Sequence, residues 1–267
     1  MTESRSQSLP TLGVVFRPQA PPEALREIVT AVDESDVAEL WLWEDCFLEG
    51  GIATAAAMLA WSERVRVGIG LLPVPLRNPA LAAMELSTLE RLAPGRLIAG
   101  LGHGVLEWMG QVGARAESPL TLLREYTTAV RALLAGETVD VAGRYVTLDG
   151  VTLDWPPRTP PELVLGATRR RTLHVAGELA DGVLLTGDSG ADGVRAARPI
   201  VDEGRAASGR DGRTRVITYA EVDPRQPGLR DALLSRAEAL AAAGADAVAF
   251  HGTADAPDPR PFLDALA

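Results

Sequence analysis

The chain lacks lysine altogether: its 26 basic residues are all arginine, against 36 acidic ones. That excludes any chemistry needing a lysine Schiff base or a P-loop lysine. With abundant alanine, glycine and proline, it reads as the codon bias of a GC-rich genome. One cysteine, Cys46, cannot close an internal disulfide, so nothing ties the chain to an oxidising compartment. No apolar run approaches the roughly 20 residues needed to cross a bilayer, and "MTESRSQSLP" lacks the basic-then-apolar order of a signal peptide. Residues 1–10 are therefore expected to be a disordered lead, and the protein to be cytoplasmic. The three histidines and the cysteine show no HxH, HExxH or CxxC spacing, so no metal site is expected. GxSxG is absent, as is a GxGxxG after the first strand-like run. The net charge of −10 argues against nucleic-acid and membrane-surface partners, which select basic faces.

What is present is a regular alternation. Short, solidly apolar runs at 12–16, 39–43, 65–72, 96–101, 162–165, 182–185, 213–221 and 245–250 have the character of parallel strands covered on both faces. Helix-length segments separate them. In "PALAAMELSTLERLA" the residues Ala82, Leu86, Leu89 and Ala93 repeat at helical spacing behind Pro79; in "LTLLREYTTAVRALLAG" Leu123, Tyr126, Val130 and Leu133 do the same, closed by Gly136. Eight βα units over 267 residues predict a single (β/α)8 TIM barrel covering the whole chain, with a doubly wound sheet as the alternative. The one interruption, "TVDVAGRYVTLDG", reads as a β-hairpin inserted before the fifth strand.

In such a barrel the chemistry sits at the C-terminal ends of the strands. There the second strand ends in Glu44, Asp45 and Cys46, the third in a stiff "LLPVPLRNP", and the fourth in "GLGHGVLEW". Glycines at Gly100, Gly102 and Gly104 would let a flat ligand approach the backbone. Beside them His103 could titrate near neutrality, or simply be exposed. After the fifth strand "GATRRR" opens a helix near Arg169. Its free N–H groups would form an anion site, while Arg169, Arg170 and Arg171 cannot all point one way. "TGDSG" follows the sixth strand and His251 ends the eighth; His174, within a helix, reads as structural.

Four segments in order, "LWLWEDCF", "VRVGIGLLPVPLRNPALAAMELSTLERLAPGRLIAGLGHG", "GETVDVAGRYVTLDG" and "LVLGATRRRTLHVAGELADGVLL", carry a resemblance. Over roughly residues 11–252 the chain resembles the bacterial-luciferase-like superfamily of flavin-dependent oxidoreductases, in particular its branch using the 5-deazaflavin coenzyme F420. The resemblance implies the cofactor ring in the barrel mouth and a non-prolyl cis peptide at Gly70–Leu71 backing it. It also implies a phosphate on the amides of Ala167, Thr168 and Arg169, and Asp45 hydrogen-bonded to the ring. Gly102, Gly104 and Thr186 would complete the cofactor's surroundings.

The family's pattern is broken in places. Cys46 stands where many relatives have a histidine that takes part in the chemistry. Val105 and Ser189 stand where a sugar-phosphate dehydrogenase of the family has glutamate and lysine, so glucose-6-phosphate is not the expected substrate. An acid or base would come from Glu44, Cys46, His103, Glu107 and His251, with Asp45 beside them. The expectation is hydride transfer between F420 and a small organic molecule. The alternatives are a monooxygenase using reduced FMN and molecular oxygen, or a flavin-binding barrel without catalysis. By analogy with the family, a homodimer is expected.

Overall fold

The computed structural model describes residues 9–187 and 189–267. Of the expected lead, residues 1–8 lie outside that range, as does Asp188. Pro10, within the expected lead, is buried.

Eight parallel strands close into a barrel: β1 (Thr11–Phe16), β2 (Glu39–Leu42), β3 (Arg66–Pro73), β4 (Leu97–Gly102), β7 (Glu162–Gly166), β8 (Gly182–Leu185), β9 (Arg215–Glu221) and β10 (Ala247–His251). The ring order is β1-β10-β9-β8-β7-β4-β3-β2, so strands adjacent in the barrel sequence are neighbours in space and β10 closes onto β1. Around the ring lie helices α1 (Leu25–Glu34), α2 (Gly51–Trp61), α3 (Pro79–Leu92), α4 (Leu106–Gln111), α5 (Pro119–Leu134), α6 (Arg170–Leu179), α7 (Gly190–Ser208), α8 (Leu229–Ala243) and α9 (Arg260–Leu266). The expected insertion is an antiparallel hairpin of β5 (Val139–Ala142) and β6 (Thr147–Val151), standing before β7. Glu125 of α5 caps its turn, accepting from the amides of Arg144, Tyr145 and Val146.

The core has two parts, as the strand pattern requires. Outward-facing strand residues such as Val14, Leu40, Val67 and Leu165 meet the helices. Inward-facing Val15, Trp41, Ile98, Val164, Leu184, Ile217, Tyr219, Ala247 and Ala249 fill the barrel. The lumen is thus a packed core and not a pore. At its N-terminal end Glu39, only 1% exposed, accepts from Arg215 Nη2 at 2.6 Å, from Arg66 Nη1 at 3.3 Å and from Trp41 Nε1 at 3.1 Å. Glu162 bridges the same two arginines. Among the described residues no helix is long and apolar enough to cross a membrane.

Candidate active site

At the opposite end, β3 departs from its register with β4 between Ile69 and Leu72. The chain bulges there at Gly70 and Leu71, and the Gly70–Leu71 peptide is cis, as the resemblance implies. A second non-prolyl cis peptide, Cys46–Phe47, had no signal in the sequence. Leu71 is thrown across the mouth toward β4 and β7. A Cβ on Gly102 would lie 2.5 Å from Leu71 Cδ2, and one on Gly166 would overlap the same methyl. These strand-end glycines therefore admit Leu71. The expectation that Gly102 lets a ligand reach the backbone is corrected to that extent: the side chain that approaches is the protein's own. Gly104, with φ +68°, turns the chain away behind it against Pro73 and Met109.

From the far wall, Tyr219 of β9 donates its phenolic hydrogen to the Gly70 carbonyl at 3.0 Å. Burial, with a small addition from the nearby Asp45 charge, holds that phenol above its ordinary value, so it remains a donor. Tyr219, Trp43 and His251 pack as a ring cluster, with centroids 5.2 Å apart for Trp43–Tyr219 and 5.0 Å for Trp43–His251. Over Trp43, at 5.1 Å, lies the guanidinium of Arg17, the first residue after β1. Arg17 Nη1 donates to the Gly252 carbonyl at 2.5 Å and pairs with Glu221 at 3.3 Å. His251 Nδ1 stands 2.9 Å from that same carbonyl. The same Nδ1 lies 3.5 Å from Arg17 Nη1.

Asp45 is half-buried beside this group, its carboxyl pushed above the usual range by burial against the pull of Arg17. Cys46, half-buried, has its thiol pushed up by burial, then by Glu44 and Asp45, which is the opposite of an activated nucleophile. Glu44 is not available as an acid or base. It takes a two-point ion pair from Arg77 at 2.5 and 2.7 Å and the Gly51 amide at 2.5 Å, fixing the start of α2. Glu107 is exposed on α4.

His103 is half-buried and burial depresses its pKa, with the Pro119 carbonyl pulling the other way, so the neutral ring prevails at pH 7. Its Nε2 lies 3.4 Å from Thr172 Oγ1 in the first turn of α6, joining the β4 and α6 sides of the mouth. Of the three amides expected to hold an anion, that of Ala167 is already donated to the Leu184 carbonyl at 3.0 Å. The ladder between β7 and β8 runs one residue further than the apolar run suggested. Thr168, Arg169, Arg170 and Arg171 are exposed, and α6 starts at Arg170, so free N–H groups begin one residue later than expected. Thr186, at the end of β8, places its Cγ2 3.5 Å from where a Gly166 Cβ would be. His174 lies 4.0 Å from Glu178 within α6, a structural contact.

Three residues at the mouth were missed. Arg17 stands at a strand end, and reading the first strand's end as the others were read would have found it. Tyr219 lies within its strand and acts on a residue 149 positions away, which no local pattern signals. Glu49 lies beyond the strand end, in the loop before α2. Its carboxyl is raised to about 7 by burial first and by Glu23 second. With Asp45, Cys46, Phe47, Leu48, Leu76 and Arg77 it lines an open depression of about 430 Å³.

A family model described as "Luciferase-like monooxygenase" matches residues 3–258. The chain belongs to the luciferase-like monooxygenase family. Among curated proteins, it is 27% identical over 201 residues to a 5,10-methylenetetrahydromethanopterin reductase of Methanolobus tindarius, covering 75% of this chain and 61% of that one. It is 30% identical over 208 residues to an F420-dependent glucose-6-phosphate dehydrogenase of Kineococcus radiotolerans, covering 72% and 61%. The chain thus spans about three fifths of the length of these relatives. Among solved structures, a coenzyme F420-dependent tetrahydromethanopterin reductase from Methanopyrus kandleri superposes with a TM-score of 0.83 at 17% identity, covering 97% of each chain. The monooxygenase RslO1 from Streptomyces bottropensis gives 0.76 at 18%, covering 96% and 97%. At these identities the likeness is one of fold.

Proposed function

We propose that the barrel is an oxidoreductase that passes a hydride between coenzyme F420 and a small organic substrate. The observation that supports this most is the β3 bulge. It sets Leu71 as an apolar platform in the middle of the mouth, seated on Gly102 and Gly166 and tied by Tyr219 through the Gly70 carbonyl. A flat ring fits against such a platform, and the polar groups that would fix one stand on either side of it. Asp45 is the hydrogen-bonding group toward β2. On the other side, the amides from Thr168 into the first turn of α6 would hold a phosphate, with the positive end of the helix dipole behind them. Neutral His103 adds a polar group at that edge.

When bound, F420 supplies the carbon that donates or accepts a hydride. The chain's share is orientation and exclusion of water. Trp43 and Leu71 provide apolar walls, and the Arg17–His251–Tyr219 cluster keeps Trp43 in place. The F420 dependence in the names of the Kineococcus dehydrogenase and the Methanopyrus reductase supports the choice of deazaflavin over FMN.

Titration of the purified chain with F420 and with FMN, followed by cofactor fluorescence, tests the proposal. We expect micromolar F420 binding, weakened about tenfold in Asp45→Asn, the loss of one hydrogen bond to a charged or strongly polar group. Micromolar FMN binding with none of F420 overturns it in favour of an FMN enzyme.

A further inference from the structure

The depression beside Asp45 has an uneven inventory. Its apolar surface is unusually open for large side chains: Phe47 is 64% exposed and Leu48 55%. Its single cation is spent internally, since both terminal nitrogens of Arg77 bind Glu44 and its Nε lies 3.3 Å from Glu85. What remains facing the space is acidic or neutral: Asp45, Cys46 and Glu49. A phosphorylated or carboxylated ligand would meet no free positive charge here and two carboxyl groups.

Glu49 differs from the other acids of the mouth. Glu44 is fully paired, and Asp45 stands in the field of Arg17. Glu49 Oε1 is buried without a hydrogen-bond partner. A buried carboxyl oxygen left without a partner disfavours the ionised form, while the residue itself lines the depression. The carboxyl, held up at about 7 by burial and by Glu23, is largely a neutral acid below neutrality. In that form it has a hydrogen to give, which a carboxylate has not.

We propose that this depression is the substrate subsite, and that Glu49 donates a hydrogen bond to the oxygen of an uncharged, mainly apolar carbonyl compound. The inference rests on the reading that deazaflavin lies against Asp45 and Leu71, because only then does the depression adjoin the reacting ring. It names the substrate class within that reading. Phe47, Leu48 and Leu76 cover the hydrocarbon part, and Glu49 fixes the carbonyl end. The groups around Glu49 are Glu23 from the loop after β1, Glu44, Asp45 and Cys46 from its own loop, and Arg77 from the loop after β3. Cys46 is pushed above its ordinary range and Arg77 stays charged, so neither titrates near neutrality.

Ligand-observed saturation-transfer NMR on the full chain tests this without turnover. The probes are cyclohex-2-enone and α-tetralone as neutral carbonyls, and glucose 6-phosphate as the anionic alternative, at pH 6 and pH 8.5. For the native chain we expect the ketones to bind at pH 6 and to weaken about tenfold at pH 8.5 as the donor ionises. Glu49→Gln, which keeps an N–H donor, should bind them equally at both pH values. Preferential binding of glucose 6-phosphate overturns the proposal, as does failure of both ketones to bind. A pH step that persists in Glu49→Gln but vanishes in Asp45→Asn assigns the donor to Asp45 and overturns it too. F420 titration of the same preparations separates the two readings. Cofactor binding without ketone binding sinks only the subsite. Ketone binding without cofactor binding sinks the deazaflavin reading, and with it the depression's role beside a reacting ring, leaving only a ketone site.

Discussion

Glu49 carries a consequence for stability as well as for recognition. Its carboxyl is held at about 7 in the folded chain, above the 4.5 it would have when unfolded. The folded state therefore binds a proton that the unfolded state has released between these values. Stability from this group is full at low pH and is lost as pH rises from about 4.5 through 7. Glu49→Gln removes the titration. Thermal melts of the two proteins should diverge between pH 5 and pH 8, the variant being more stable at the upper end by on the order of 1 kcal/mol once solvent screening is allowed for. Parallel curves across that range would mean Glu49 has an ordinary carboxyl. At this scale the sequence was only partly legible. Asp45 was legible through the family resemblance, and the raised thiol of Cys46 only in part through its acidic neighbours Glu44 and Asp45, since burial weighs more. The commitment of Glu44 to Arg77 depends on a contact 33 residues distant, and the sequence offers no sign of it.

Among the elements, the β3 bulge and its two glycine partners form a unit. Leu71 occupies the volume that a side chain at 102 or 166 would need. Gly166→Ala should cost about 1–3 kcal/mol in denaturant melts, as overpacking does. Leu71→Ala in the same chain should recover part of that cost, a coupling of about 0.5–3 kcal/mol. Additive losses would show that Leu71 is not what fills the space. The strands themselves were readable because each is covered on both faces and so is apolar throughout. All eight were found within two residues of their ends, and the hairpin around Ala142 and Gly143 was found from its alternating pattern. The amides after β7 were misplaced by one residue. The ladder to β8 captures Ala167, and a hydrogen bond to a neighbouring strand leaves no trace in local composition.

For the molecule as a whole, the two ends of the barrel are built from different forces. The N-terminal end is closed by Glu39, Glu162, Arg66 and Arg215, with Trp41 above them. Glu39→Gln leaves Arg215 short of a buried counter-charge, and equilibrium unfolding should show a loss of about 3–5 kcal/mol. Cofactor affinity measured at a temperature where the variant is folded should be unchanged, because the quartet lies at the opposite end from the mouth. A parallel loss of affinity would mean the two ends are coupled. The eightfold βα alternation made the architecture legible, whereas the placement of this quartet required the barrel to be closed first.

The platform at Leu71 is held by β4, β7 and β9, whereas the depression is lined by the loop leaving β2 together with the turn after β3. The proposed cofactor seat and the proposed substrate wall thus hang largely on different struts of one frame. On that reading residues 46–49 can be exchanged while the Leu71 platform stays in place, so a new appetite needs only a rewritten loop, with Asp45 at its start kept for the ring. In this chain that loop carries Cys46, where the resemblance implies a histidine, and the acid Glu49 three residues on.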